Sequence, residues 1–579
     1  MVDFVLLHPP SVYDFREKAI MHGPISDVVP STSIFESYPI GFMSMLSYLH
    51  QYGYRVRIIN VALKMLNNPS FNPEKLIKSL DPLAFGIDLH WLVHAQGSLK
   101  LAEIVKRWHP DTPVIIGGLS ATYFHTQIVR NYPYVDYVIR GDTTEEPLLQ
   151  LLNCIERGKD PVNVPNLTWK DTDDRVQVNS LSFIPENLDE YILDYGAVIK
   201  SAIKNLDIEG HFPYRDWLKY PLAAVLTCKG CIYNCITCGG SKYSYQKVCS
   251  RSRVAFKSAE KLVEEMKIIG DYIKGPIFVL NDIRIGGKKY VENLLKEIKK
   301  ERIHNPLIIE LFKPASRRFL EDVIKASGEA SLEISPESHD EMVRRSFGRN
   351  YGNEELERTL AFASELGYKR IDVFFMIGLP YQDMESVLKT VHYAEKLIQR
   401  YGKGGKLHPF IAPLAPFVDP GSLVFENPDL YGYRLFFKSL EEYRTALELP
   451  SWKYSLSYQT RWLTRDEIVD STYKAARLLN RIKKENMLIS EAEAETIFKK
   501  LQLAEILTRK VDEIFQQRDE KIRLEQLQIL SEWARDASKE VLCSSNELLK
   551  WPFGSITNIK LRLFFSLIKN LIKSSIKRS

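Results

Sequence analysis

Leu226-Thr-Cys-Lys-Gly-Cys-Ile-Tyr-Asn-Cys-Ile-Thr-Cys-Gly-Gly240 contains four of the chain's seven cysteines. Within it Cys231, Cys235 and Cys238 are spaced C-x3-C-x2-C. Three thiolates at that spacing can hold three irons of a 4Fe-4S cluster and leave the fourth open, and an open iron is a reactive one. Adding Cys228 gives C-x2-C-x3-C-x2-C, which raises the alternative of structural zinc. Such zinc sites separate their cysteine pairs by a dozen or more residues so that two turns converge, and three intervening residues are too few. The stretch follows the apolar run Ala223-Thr227, so the cysteines are expected on a loop leaving the carboxyl end of a strand.

Downstream, apolar runs at Ile277-Leu280, Leu307-Leu311, Ala330-Ile334, Ile371-Met376 and His408-Ile411 alternate with helical patterns. One helix is expected from Ser258 to Gly270 and another from Asn353 to Gly367, each with a polar start and a glycine stop. Upstream, strands are expected near Phe4-Leu7, Arg55-Ile59, Leu83-Ile87, Pro113-Ile116 and Tyr134-Ile139, with crossover helices between them. Asn72 can cap a helix whose first position is Pro73. This pattern predicts an α/β chain whose first part is a doubly wound parallel sheet of the flavodoxin-like kind. Ligands of such sheets bind at the carboxyl ends of the strands, where Pro9, His90, Gly117 to Thr122 and Gly141 fall.

The cysteine spacing resembles that of the radical S-adenosylmethionine superfamily. The resemblance implies a partial (β/α)6 TIM-type core at 221–430, a 4Fe-4S cluster on Cys231, Cys235 and Cys238, and S-adenosylmethionine chelated to the open iron. It further implies an electron donor of ferredoxin or flavodoxin type and a 5′-deoxyadenosyl radical that takes hydrogen from unactivated carbon. Asp282, Gly286 and Gly287 fall where that family holds the methionine amino group. Glu310 ends the third strand, Ser335 and Glu337 lie in the ribose- or methionine-contacting segment, and Met376 and Gly378 lie in the adenine-contact strand. Thr237 stands where the family usually has an aromatic residue.

Residues 1–160 resemble the cobalamin-binding domain that precedes the core in one class of these enzymes. The resemblance rests on "LLHPP", "YPIGFMSMLSYLHQYGY" from Tyr38, "PVIIGGLSATY" from Pro113 and "VDYVIRGDTTEEPLLQLL" from Val135. It implies cobalamin held by loops at Pro9, His90, Gly117, Gly118, Ser120, Thr122 and Gly141. The glycines would admit the nucleotide tail and the hydroxyls would face it. Asp88-Leu-His90 lacks the glycine of the Asp-x-His-x-x-Gly motif, Val93 standing in its place, and no histidine is expected on cobalt by that route.

Residues 161–220 are expected to connect the two parts. Residues 431–579 read as helical, with Thr464 and Glu467 forming a capping box and a basic amphipathic helix at Ile559-Ser579. That last helix suits either docking on the body or an interfacial position on an anionic membrane. With 579 residues, 45% hydrophobic, two or three domains are expected. The net charge of +5 does not suggest a dedicated nucleic-acid binder, and methylthiolation of tRNA is disfavoured. No apolar run reaches membrane-spanning length and the start lacks a basic leader, so a cytoplasmic protein is expected, peripheral at most on the inner membrane face.

The whole pattern is similar to the archaeal enzymes that close cyclopentane rings in tetraether (GDGT) membrane lipids, which implies a lipid substrate. Cobalamin-dependent methylation of an unactivated carbon is the alternative within the enzyme class. A non-catalytic cobalamin or redox sensor is the alternative outside it.

Overall fold

The computed structural model describes residues 2–18, 32, 34–413 and 417–534. The strands Phe4–His8, Val56–Asn60, Ala84–Asp88, Val114–Gly117 and Tyr137–Ile139 form a parallel sheet in the order second, first, third, fourth, fifth. That is the flavodoxin-like order, with its switch point beside the first strand. Val5, Leu7, Ile58, Ile87 and Ile116 are buried, as a parallel sheet covered on both faces requires. The expected helix start is realised: Pro73 opens a helix and Asn72 Oδ1 accepts from Lys75 N at 2.9 Å.

Residues 161–220 are more than a connection. Leu167–Lys170 and Val176–Val178 extend the first sheet by two antiparallel strands, and Tyr195–Lys204 forms a helix packed on Gly41–Gln51. Strands of four and three residues are too short for alternation to show in sequence, and the flanking Pro161, Pro165 and Pro185 disguise them further.

The second sheet comprises Ala223–Leu226, Ile277–Leu280, Leu307–Leu311, Ala330–Glu337, Ile371–Ile377 and Leu407–Pro413, all parallel and in sequential order. Its first and last strands are not paired to each other, so it is an open six-stranded partial barrel. Val225, Val279, Ile309 and Leu332 pack into the main core, whereas Phe278 with Ile308 and Phe374 with Phe410 form separate small clusters on the inward face. One inward row carries four titratable residues in register across neighbouring strands, Glu310, Glu333, Asp372 and His408. Burial raises the Glu333 carboxyl well above its usual range, and Asp372 and Glu310 add to the effect. Arg370 pairs with Asp372 at 2.7 Å.

Beyond the barrel, Tyr433–Leu435 and Tyr458–Thr460 form a short antiparallel pair within the region expected to be helical. Helices Arg465–Glu485, Glu491–Phe515 and Glu520–Ala534 follow, the first opened by the Thr464–Glu467 capping box. Among the described residues no helix is long and apolar enough to cross a membrane. The amphipathic segment Ile559-Ser579 lies outside the described residues.

Candidate functional site

The carboxyl ends of the two sheets face each other. Arg251, just beyond the cysteine loop, is ion-paired to Asp142 at the end of the first sheet, with Nη2 to Oδ1 at 2.9 Å. Both groups are almost fully buried, so the pair fixes the docking of the two domains more surely than a surface pair would. Between the sheets lies a cavity of about 1280 Å³, above the 300–1,000 Å³ range of ordinary small-molecule sites. Its first-domain wall includes Asp88, His90, Trp91, Gly117, Gly118 and Gly141, and its second-domain wall includes Leu226, Cys228, Lys229, Tyr245, Leu280 and Asn281. Most of the remaining lining is apolar, including Phe4, Leu6, Ile115, Val198, Ala202 and Trp217.

The cysteine loop is held by the barrel and by a helix that crosses it. Tyr233 N donates to Cys231 Sγ at 3.4 Å and Gly240 N to Cys238 Sγ at 3.3 Å, the kind of backbone support a cluster's sulfurs need. Ile236 N donates to Phe347 O at 3.0 Å. Next to it Gly348 has φ +115°, and a Cβ there would come within 2.9 Å of Asn234 O. Gly239 N donates to Asp419, whose buried carboxyl is pushed up to about 6. Burial raises the thiols of Cys231 and Cys235, and the positive charge of Arg349 pulls both back.

Arg349 itself is largely shielded, its side chain 11% exposed. It donates to Glu337 Oε1 at 3.4 Å and to Phe312 O at 3.0 Å. Among the described residues no three His, Cys, Asp or Glu side chains converge on the position of a single metal ion. A cubane cluster asks for something else, one thiolate on each of three irons, and three cysteines on one supported loop beside a shielded cation fit it.

The residues expected to meet S-adenosylmethionine ring the barrel mouth. Asn281 and Glu337 end their strands with φ of +71° and +66°, left-handed conformations that cost non-glycine residues energy and aim their side chains off the strand path. Glu337 Oε2 is buried without a partner, burial pushes this carboxyl up to about 7, and the free oxygen suits the hydroxyl or ammonium donors of the cosubstrate. Glu310, also raised to about 7 by burial, accepts from Asn281 N at 2.9 Å.

The Asp282 carboxylate is fully engaged: it caps Arg284 N, takes two bonds from the Arg284 guanidinium and accepts from Phe312 N at 3.0 Å. Gly286 and Gly287 begin the helix beyond it. Gly378, at φ +95°, is pinned by Gln382 Oε1 at 2.8 Å, with Tyr433 donating to its carbonyl at 2.8 Å, and Gln382 Nε2 donates to Met376 O. Tyr351 donates to Ser335 O at 3.3 Å. Of these expected residues none lines the large cavity; its nearest neighbour in the chain, Asn281, does.

On the first-domain side the cavity receives His90, Gly117, Gly118 and Gly141, but not Pro9, Ser120 or Thr122. Ser120 Oγ donates to His90 O at 3.0 Å, and Thr122 Oγ1 donates to Gly118 O and accepts from Gly141 N, so these hydroxyls brace the loops and do not face a ligand. Pro9 packs on the other side, against Gly97. Gly118 has φ +115°, and a Cβ would meet His90 Cα at 2.6 Å, so this close approach of two loops requires glycine.

Burial pushes the His90 imidazole down to about 4. His94 turns away and donates through Nε2 to Phe35 O at 2.9 Å. His8 Nε2 donates to the same carbonyl at 3.0 Å, while its Nδ1 lies 2.8 Å from Asp88 Oδ1. A carbonyl only accepts, so His8 and Asp88 share one proton on that second contact. Asp88 Oδ2 and His94 Nδ1 are buried without partners, and Asp88 reaches the cavity wall. An orphaned acceptor beside two backbone-exposing glycine loops fits the amide-fringed corrin and phosphate-linked tail of cobalamin. The sequence reading missed Arg349 and the contact of His8 with Asp88.

Residues 27–149 match the family described as the B12 binding domain and residues 225–394 the Radical SAM superfamily. An uncharacterized methyltransferase of Pyrococcus horikoshii is 25% identical over 331 residues, 56% of this chain and 66% of that protein. The anaerobic magnesium-protoporphyrin IX monomethyl ester cyclase of Rubrivivax gelatinosus is 22% identical over 216 residues, 35% of this chain and 34% of that protein. The chain thus spans just under two thirds and about a third of these two relatives' lengths. Among solved structures, the cobalamin-dependent S-adenosylmethionine radical enzyme OxsB, with aqua-cobalamin and S-adenosylmethionine bound, superposes with a TM-score of 0.52 at 13% identity, over 100% of this chain and 81% of that one. The chain carries a B12-binding domain followed by a radical SAM domain, which imply cobalamin in the first and a 4Fe-4S cluster with S-adenosylmethionine in the second.

Proposed function

We propose that this radical SAM enzyme functionalises an unactivated carbon of an apolar substrate, and that the outcome is transfer of a methyl group. The observation that carries the proposal is the single cavity into which both cofactor-side walls open, Gly117, Gly118 and Gly141 from one domain and Cys228, Lys229 and Asn281 from the other. Cluster-bound S-adenosylmethionine supplies a carbon-centred radical and cobalamin a transferable methyl group. The chain's own contribution is placement. Cys231, Cys235 and Cys238 hold the cluster, Arg349 offsets its negative charge, and Glu337 receives donors of the cosubstrate. The apolar lining excludes water from the reacting carbon. The similarity to a methyltransferase favours this outcome.

Ring closure in an archaeal tetraether lipid is the second reading. The apolar cavity suits a hydrocarbon, and one of the relatives is a ring-forming cyclase. A lipid substrate, a peripheral place on the inner membrane face and an electron donor of ferredoxin or flavodoxin type belong to the same proposal. Anaerobic turnover with methyl-deuterated S-adenosylmethionine and extracted lipids, read by mass spectrometry, separates the readings. Gain of a labelled methyl group supports methylation, and loss of two hydrogens without label supports ring closure. Absence of any S-adenosylmethionine cleavage by loaded, reduced protein would favour a sensor and overturn both.

A further inference from the structure

The large cavity is lined by Cys228 and Lys229 but by none of the residues from Cys231 to Cys238. That loop presents a face to solvent: Ile232 is 51% exposed, and Asn234 is exposed as well. A single exposed aliphatic residue is ordinary, but the charges around this one are mainly of one sign. Lys242 N donates to Tyr233 O at 2.8 Å, which anchors exposed Lys242 beside the loop. On another flank the Tyr233 ring meets Phe312 edge to face at 6.1 Å, and exposed Lys313 follows in the chain. The third flank is the helix Glu341–Phe347, which exposes Met342 and Arg345 and runs into Gly348, whose backbone lies against Asn234. Asp340 caps that helix and Glu341 lies 3.9 Å from Arg345. Lys242 and Lys313 make no ion pair with any described residue.

Resting on the proposed function, we infer that this face of the cysteine loop is the docking surface of an acidic one-electron carrier protein of flavodoxin or ferredoxin type. Acids around the carrier's redox group meet Lys242, Lys313 and Arg345, and Ile232 and Met342 supply the apolar contacts. Electron-transfer encounters are small and steered by charge, which suits unpaired lysines around a few exposed apolar side chains. Long-range attraction raises the encounter rate without requiring a tight complex, so the carrier leaves once oxidised. Ile232 follows Cys231 directly, so a carrier seated on it delivers its electron beside the cluster thiolates and away from the cavity where substrate reacts. With a flavodoxin the step balances as one electron: the anionic flavin hydroquinone becomes the neutral semiquinone, the oxidised cluster becomes singly reduced, and no proton moves.

The test is stopped-flow reduction of the cluster-reconstituted, cobalamin-loaded full chain by flavodoxin hydroquinone, and by reduced ferredoxin, at low and high salt. Photoreduced deazariboflavin, a small uncharged reductant, is the control. The double variant Lys242→Glu, Lys313→Glu should lower the second-order rate with the protein carriers about ten-fold at low salt. The difference should shrink at high salt, where these exposed charges are screened. Reduction by deazariboflavin, iron content and melting temperature should stay as in the unaltered protein. Lys242 is the first residue of the helix Lys242–Cys249, where a glutamate suits the helix dipole, so the variant is expected to fold. Lys403→Glu, on an exposed lysine before the amino end of the last barrel strand, should leave every rate unchanged. Equal rates for the unaltered protein and the double variant, equal slowing with deazariboflavin, or equal slowing by Lys403→Glu would overturn the docking surface. So would failure of both carriers to reduce a cluster that deazariboflavin reduces. S-adenosylmethionine cleavage driven by deazariboflavin reports the proposed function separately.

Discussion

In the barrel, the side chains proposed to hold the cluster sit in one loop, Cys231 to Cys238, that leaves the end of a single strand. In the first sheet the cofactor wall is assembled from His90, Gly117, Gly118 and Gly141, three strand-end loops that meet only in the folded domain. The first kind of site is built chiefly from reactive side chains on one loop, with a single close approach at Gly348 beneath it. The second is built from close approach of backbone, so it depends on residues that lack a side chain. The difference teaches where substitutions should be severe: at donors in one domain, at space in the other.

The largest contrast is expected within the cysteines. Cys235→Ala should abolish cluster loading and 5′-deoxyadenosine release, measured by iron and sulfide content and by chromatography. Cys228→Ala should retain the cluster. Cys228 lies in a short strand pairing with Phe256 and faces the cavity, and burial pushes its thiol up to about 12. Equal loss of iron in the two variants would break the comparison.

Glycine substitutions come next. Gly118→Ala forces a side chain into His90 at a left-handed backbone position, a cost of about 1–3 kcal/mol. It should lower the melting temperature and eliminate cobalamin retention on gel filtration while leaving iron content intact. Gly348→Ala, crowding Asn234 and Cys235, should do the reverse and lower cluster occupancy alone. If both variants lose both cofactors, the two walls are one cooperative unit and the contrast drawn above is wrong.

A smaller effect is expected at Arg349. Its shielded guanidinium favours the more negative, reduced cluster, so Arg349→Met should move the reduction midpoint to lower potential in an EPR-monitored titration, and Arg349→Lys should restore part of the shift. No movement would mean that the cation serves only the Glu337 contact.

The smallest is a pH effect on the apoprotein. Burial holds His90, His94 and His211 near 4, against 6.5 for an exposed imidazole, so the folded state keeps them neutral where the unfolded chain protonates them. Their contribution to stability is therefore complete above about 6.5 and is lost as pH falls from there towards 4. Melting temperature should decline across that window, and His211→Gln should flatten the decline.

The second domain was legible because its cues are local. Cysteine spacing needs no tertiary knowledge, and the runs Ile277–Leu280 and Leu307–Leu311 coincide with strands because parallel strands buried on both faces read as unbroken apolar runs. Arg349 was not legible, since an arginine after a helix ordinarily meets solvent and nothing nearby announces that the cysteine loop will cover it. Ser120 and Thr122 were read as ligand-facing because hydroxyls beside glycines can serve either a ligand or the loop, and hydrogen bonds to His90 O and Gly118 O decide between them. The pairing of His8 with Asp88 joins the ends of two strands far apart in sequence, which no periodicity reveals.

The central claim is that the cobalamin wall and the cluster loop serve one shared cavity. It is tested most directly by pulsed EPR of protein holding cob(II)alamin and a reduced cluster together. The account predicts dipolar broadening of the cobalt signal that disappears in the cluster-free Cys235→Ala protein. Superimposed, non-interacting cobalt and iron-sulfur spectra would contradict it.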